Sequence, residues 1–208
     1  SGTLGASDTT VPTSGNYLFA NTIDMGAKFK IKVQASITQT VEDVADYFDN
    51  RSGLFEDASA PFDGQATSNS TTQLQVATSD DNSTYSNFST FVVGEYEARY
   101  LKFRVLFTSS GTARSLISAL SVTASVPKRR ESDSDVVSTT GVKAITYGHA
   151  FKTSPAIGIS AQGLATGDFY SITSKSTSGF SIQFKNSSGS GVNRTFDWIA
   201  EGSGQVIT

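Results

Sequence analysis

The sequence predicts an all-β protein made of two β-sandwich domains, and three observations lead to this fold class. Residues 95–107 contain the clearest alternation of apolar and polar side chains, the pattern of a strand with one face in a core. Ser and Thr account for 57 of 208 residues, and 14 Phe and 7 Tyr supply enough aromatic surface for a core. No helix longer than about two turns is predicted, and residues 41–48 are the only short candidate.

The first domain is predicted to cover residues 1–127. Its first 20 residues are small and polar, and we interpret them as a lead-in. Alternation or apolar content then predicts strands at 29–37, 73–78, 95–107 and 116–126, separated by turns rich in Asp, Asn, Ser and Gly.

The strand at 95–107 has two contrasting faces. Leu101, Phe103, Val105 and Phe107 share the apolar face, which we assign to the core. Tyr100, Lys102 and Arg104 share the other face. This polar face is either a ligand platform or a solvated surface, and we favour the solvated surface. A neighbouring subunit or the second domain is also a more plausible contact for it than a small ligand.

Residues 128–135, Lys-Arg-Arg-Glu-Ser-Asp-Ser-Asp, are charged, poor in apolar side chains and preceded by Pro127. This composition is typical of a linker between domains. The second domain, residues 136–208, is then a smaller sandwich with predicted strands at 142–147, 156–161, 169–173, 179–184 and 196–200. Trp198, the only Trp, alternates with Phe196 and Ala200 and is assigned to the core.

An acidic stretch lies between residues 41 and 64, where we predict a long structured loop. Asp49, Asp57 and Asp63, with Glu56, are the available oxygen ligands for a Ca²⁺ ion. Their spacing does not match an EF-hand loop, and Asp residues commonly bond to their own backbone in turns. We therefore predict no metal and no cofactor.

Composition argues against several classes of function. The chain has no Cys, which excludes disulfides and a Cys nucleophile. Its net charge of −3 gives no reason to expect a nucleic-acid partner. His149 is the only His, and no nucleophile or phosphate-binding motif accompanies it, so we predict a partly exposed histidine in a loop or at a strand end, and no enzyme.

Several segments resemble known families. Ala98-Arg99-Tyr100-Leu101-Lys102-Phe103 resembles the late core strand of discoidin-like, or galactose-binding-like, jelly-roll domains. The segments 23–27, 53–57 with 62–64, and 78–81 with 91–99 together resemble the C-terminal region of central tail-tip (host-specificity) proteins of tailed bacteriophages. Residues 151–157, 167–168, 179–180 and 194–202 resemble a small β-sandwich module at the ends of phage tail proteins, which is similar to H-type lectin domains.

This resemblance implies a galactose-binding-like jelly roll followed by a lectin-like sandwich. It further implies a virion protein at the tail tip, outside the cell, that forms a homotrimer and contacts other tail-tip proteins. Its implied role is attachment to a host surface glycan or protein. No sugar-binding motif is recognised, so no ligand-binding residue is assigned, and we expect recognition in the loops.

Two other functions fit the sequence less well. One is a carbohydrate-binding module of a secreted bacterial enzyme, which an exposed row of aromatic side chains on one face would favour. The other is a tailspike glycan hydrolase. Tailspikes carry long β-helix repeats, and this sequence shows no internal repeat.

Overall fold

The computed structural model describes residues 11–44 and 69–207. Over these ranges the chain consists of strands and turns without an α-helix, so the predicted all-β class is confirmed. The chain divides into two compact units by its internal contacts. The first unit contains the described residues of Ser1–Asp24, Val33–Gly94 and Tyr100–Thr123, and the second contains those of Met25–Lys32, Glu95–Arg99 and Ala124–Thr208.

Strands in the first half of the chain form one sheet. They are β1 (Ser14–Leu18), β2 (Ile23–Asp43), β3 (Ser70–Ser79), β4 (Ser89–Thr90), β5 (Gly94–Ser109) and β6 (Ala113–Ser125). Their order is β4-β3-β5-β2-β6, and β1 pairs with β5 in addition. All four strands predicted in this half are observed, and each is longer than predicted. The described strands make a single sheet here, so the jelly-roll assignment stays a prediction.

Strand β1 lies in the stretch that we interpreted as a lead-in. All five of its residues are exposed. A strand with neither face buried needs no alternation, and so it left no pattern in the sequence.

Strand β5 has the core face that its alternation predicts. Leu101, Phe103 and Val105 are at most 3% exposed, although Phe107 near the end of the strand is only partly buried. Tyr100 on the opposite face is also buried, at 9% exposure, and Ala98 on that face is buried as well. The prediction of a solvated face is therefore wrong for Tyr100.

The second half of the chain forms two three-stranded antiparallel sheets. Its strands are β7 (Lys128–Val137), β8 (Lys143–Thr146), β9 (Ala156–Gln162), β10 (Phe169–Lys175), β11 (Gly179–Lys185) and β12 (Thr195–Ser203). The sheets have the orders β10-β11-β8 and β7-β12-β9. All five strands predicted after residue 136 are observed.

The stretch 128–135 is a strand in the structure, where the sequence predicted a linker. It lies within β7, which pairs with β12 from Lys128↔Ser203 to Val137↔Thr195. Its charged side chains are accommodated because β7 is an edge strand, and edge strands of natural proteins commonly carry charge.

The two sheets of the second unit pack on each other through aromatic side chains. Phe180 of β11 meets Trp198 of β12 with ring centroids 5.6 Å apart, and Phe184 meets Phe196 at 5.4 Å. Tyr147 contacts both Phe180 and Trp198. These contacts make the second unit a β-sandwich and confirm Trp198, 7% exposed, as a core residue.

Removing a ring from this core leaves a cavity. Phe184 is fully buried, and we expect Phe184→Ala to lower the free energy of unfolding by about 3–5 kcal/mol. Denaturant unfolding followed by fluorescence measures this in the second unit alone, because Trp198 is the only Trp. A loss below about 1 kcal/mol would contradict the packing described.

Tyr147 lies in the same core, but its substitution is expected to leave stability unchanged or to raise it. Its hydroxyl is buried without a hydrogen-bond partner among the described residues, and burial beside Glu131 raises the pKa of the phenol. An unpaired buried hydroxyl is destabilising, so we expect Tyr147→Phe to leave stability unchanged or raise it by up to about 1–3 kcal/mol. The same fluorescence experiment applies, and a clear loss of stability would show that the hydroxyl has a partner.

Candidate functional site

The outer face of the sheet β7-β12-β9 carries polar side chains and two shallow depressions. Phe196, Trp198 and Ala200 of β12 point into the core, so Thr195, Asp197 and Ile199 point outward. The pairing of β12 with β7 and β9 places residues of these two strands beside them on the same face. Ile199 lies between Ser132 and Gly158, Asp197 is paired with Ser160, and Thr195 lies between Val137 and Gln162.

The first depression on this face has a volume of about 570 Å³. Ile199 and Gly158 contribute to its apolar part, and Ser132, Ser160 and Asp197 contribute polar groups. Gly158 permits this shape, because a Cβ atom there would lie 2.9 Å from Cγ2 of Ile199.

A β-bulge fixes the carboxylate of Asp197. The register of β7 against β12 shifts between Phe196 and Trp198, and Asp135 adopts a left-handed backbone with φ of 54°. The backbone N–H of Asp135 donates to Oδ1 of Asp197 at 2.9 Å. The Gln162 side-chain amide donates to Oδ1 of both Asp135 and Asp197, at 3.3 Å in each case.

A second, smaller depression of about 230 Å³ lies beside the first. Its lining includes Gln162, Thr195, Asn193 and Arg194. Gln162 connects the two, since it lines the second depression and hydrogen bonds to Asp197 in the first. These depressions lie on a sheet face and reach loop residues only at one end. The expectation that recognition lies in the loops stays a prediction.

Arg194 is held by a buried carboxylate. Its Nε donates to Oδ2 of Asp168 at 2.7 Å and Nη2 donates to the same oxygen, while the Asp168 side chain is 2% exposed. The backbone N–H of Ala165 also donates to Oδ2, at 2.9 Å. Hydrogen bonds from Ala165 and Arg194 hold the pKa of Asp168 below its ordinary value. The positive charge at this end of the face is thus neutralised.

The polar face of β5, the other candidate from the sequence, is covered. Nζ of Lys102 lies 3.9 Å from the ring centroid of Tyr85, and Cζ of Arg104 lies 4.3 Å from that of Phe88. Nε of Arg104 also donates to the side-chain oxygen of Gln75 at 2.6 Å. Among the described residues, these cations serve packing through cation–π contacts, and Tyr85 and Phe88 occupy the space in which a ligand would contact them.

His149 is an exposed loop residue, as predicted. Its backbone N–H donates to Oε1 of Glu131 at 3.2 Å, and its carbonyl accepts from Arg129. Glu131 also accepts from the backbone N–H of Gly148 at 2.8 Å and pairs with Arg129. Burial raises the pKa of Glu131, but these hydrogen bonds outweigh it and the pKa is lowered.

The weak metal candidates Asp49, Asp57 and Asp63 lie outside the described residues. Within residues 11–44 and 69–207, no three His, Cys, Asp or Glu side chains come together in a way that would hold a metal ion. Asp81 acts as a turn residue. Its carboxylate accepts from the backbone N–H groups of Thr84 and Ser83, at 2.8 Å each, and these bonds hold its pKa well below the ordinary range. The same part of the chain contains no helix long and apolar enough to cross a membrane.

Comparison of the chain with protein-family models, with curated protein sequences and with solved structures finds no match. The hydroxyl, amide and carboxylate groups beside the apolar patch are able to form hydrogen bonds with a polar ligand.

The buried carboxylate of Asp168 and the partly buried carboxylate of Glu131 predict how stability depends on pH. Asp168 and Glu131 have lowered pKa values in the folded state, so their contribution is complete above the ordinary carboxyl range and is lost as pH falls below about 4.5. We expect the denaturation midpoint of the second unit, followed by Trp198 fluorescence, to drop between pH 6 and pH 3. Asp168→Asn should make this drop smaller, and an equally steep drop in that variant would contradict the role of Asp168.

Proposed function

We propose that this chain is a structural and host-recognising component of a bacteriophage tail tip or central fibre, which attaches the virion to the surface of its host. The observation that carries the proposal is the polar outer face of the second sandwich, where hydroxyl, amide and carboxylate groups surround Ile199 and Gly158. The order of tail-protein-like segments along the chain supports the same role. The proposal assigns the chain no catalytic step.

The geometry supports a binding surface on a rigid scaffold. Neighbouring strands of the sheet position the groups of this face, and they therefore need little ordering when a ligand arrives. Asp197 is further fixed by Asp135 and Gln162. These features favour binding by a preformed surface over a conformational switch.

An oligomer is part of the proposal, and strand β10 supports it. All seven β10 residues are exposed, including Phe169, Tyr170 and Ile172. Tyr170 and Ile172 are paired with Phe184 and Ile182, so they continue the apolar core side of their sheet to an open edge. A neighbouring copy in a homotrimer, or another tail-tip protein, would cover such an edge.

The alternative of a carbohydrate-binding module has less support. Such modules would favour a row of exposed aromatic side chains on one face. Among the described residues, the aromatic side chains exposed over 40% are Tyr17 of β1 and Phe169 and Tyr170 of β10. Phe169 and Tyr170 are consecutive in a strand and face opposite sides, so they make no row.

Attachment is tested with cells. The full chain, carrying a fluorescent label, is incubated with a panel of bacterial strains and with mutants of the same strains that lack surface polysaccharide. We expect saturable binding to at least one strain. Binding to no strain, by protein that light scattering shows to be assembled, would contradict the proposal.

The assembly state is tested by multi-angle light scattering at micromolar concentration. We expect the mass of three chains. Replacing Ile172 with Glu places a charge on the exposed apolar edge and should weaken assembly, whereas the polar neighbour Ser171, replaced with Glu, serves as the control. A stable monomer of the unaltered chain would count against a trimeric tail-tip component.

A further inference from the structure

The geometry points to the outer face of β7-β12-β9 as the binding track for an uncharged oligosaccharide. This inference rests on the proposed function, because it names the class of host molecule that the protein recognises. We call this surface the β12 track and define it by the two depressions, which are linked by the hydrogen bond from Gln162 of the second to Asp197 of the first.

The β12 track is longer than a single sugar ring. Its outward β12 residues run from Ile199 through Asp197 to Thr195, a distance of about 13 Å at the rise of an antiparallel strand. The depressions follow one another along this line on the same face. An extended ligand of linked rings fits this shape, whereas a compact ligand would fill one depression only.

The chemistry of the track matches hydroxyl groups. Ser132 and Ser160 each offer a hydroxyl that both donates and accepts, and Gln162 offers an amide. Asp197 uses Oδ1 for Asp135 and Gln162, while Oδ2 has no hydrogen-bond partner among the described residues. A carboxylate oxygen held in this way accepts strongly from a sugar hydroxyl. Ile199 and Gly158 provide apolar surface for the C–H face of a ring.

The charged side chains of the β12 track favour an uncharged saccharide over an acidic one. The residues that line the first depression include Asp197, whose carboxylate points to this face, and no Lys or Arg. In the second, Arg194 is already neutralised by Asp168. An acidic sugar or a phosphate would meet uncompensated negative charge here, and its binding would be unfavourable.

Two variants are designed to impair binding at the β12 track without impairing folding. Ser160→Trp fills the first depression from an exposed position, so folding should be preserved. Asp197→Asn retains an oxygen for Asp135 and Gln162 but replaces the second acceptor with an amide donor. Thr146→Trp, at an exposed position of β8 in the other sheet, is the matched control.

The test uses a printed array of bacterial surface glycans that includes neutral and acidic oligosaccharides, with the full chain as the probe. The best neutral glycan is then titrated into isotope-labelled protein and followed by NMR. We expect shifts at Ser132, Gly158, Ser160 and Asp197. Affinity should fall about tenfold or more in Ser160→Trp and Asp197→Asn, and it should be unchanged in Thr146→Trp.

The outcomes distinguish this inference from the proposed function. If the protein binds cells but binds no neutral glycan, or binds one with shifts elsewhere, the inference is wrong and the proposed function stands. A preference for acidic glycans also overturns the inference. If it binds a neutral glycan through the track but adheres to no bacterial strain, the inference stands and the proposed function is wrong. Loss of cell binding after protease treatment, with polysaccharide intact, identifies a protein receptor and overturns the inference.

Discussion

The aromatic packing between the two sheets of the second unit is the constraint on which its surfaces depend. The core contains Phe180 and Phe184 of β11 and Phe196 and Trp198 of β12. A strand that points such residues inward necessarily points the residues between them outward. Thr195, Asp197 and Ile199 are outward for that reason. The candidate site is thus a consequence of core formation, since the same register that builds the core presents Asp197 beside Ser160.

The bulge in β7 adds what regular pairing alone does not supply. Two residues of β7 are accommodated opposite Asp197, and Asp135 turns its backbone N–H onto the Asp197 carboxylate. Bulges commonly re-aim side chains at the edges of sheets. Here the bulge leaves one carboxylate oxygen of Asp197 bonded and the other without a partner among the described residues. A charged edge strand therefore also orients the carboxylate of the candidate site.

The sequence predicted the strands whose alternation reflects a single buried face, namely those around Phe103, Ile182 and Trp198. It missed β1, which buries neither face, and it predicted a linker where β7 lies, because charged edge strands and linkers have similar composition. It also missed that Tyr85 and Phe88 cover Lys102 and Arg104, since contacts between distant residues leave no local pattern. Nothing in the sequence indicates that Asp197 and Ser160 lie side by side, because they are far apart along the chain. The register between β12 and β9 brings them together.

We propose that this protein recognises its host through the outer face of β7-β12-β9. Hydrogen–deuterium exchange of the full chain, free and bound to purified host surface polysaccharide, locates the bound surface. We expect new protection in β9 and β12 around Ser160 and Asp197, with exchange in β10 unchanged. Protection confined to β10, or to the first unit, would show that the host is bound elsewhere.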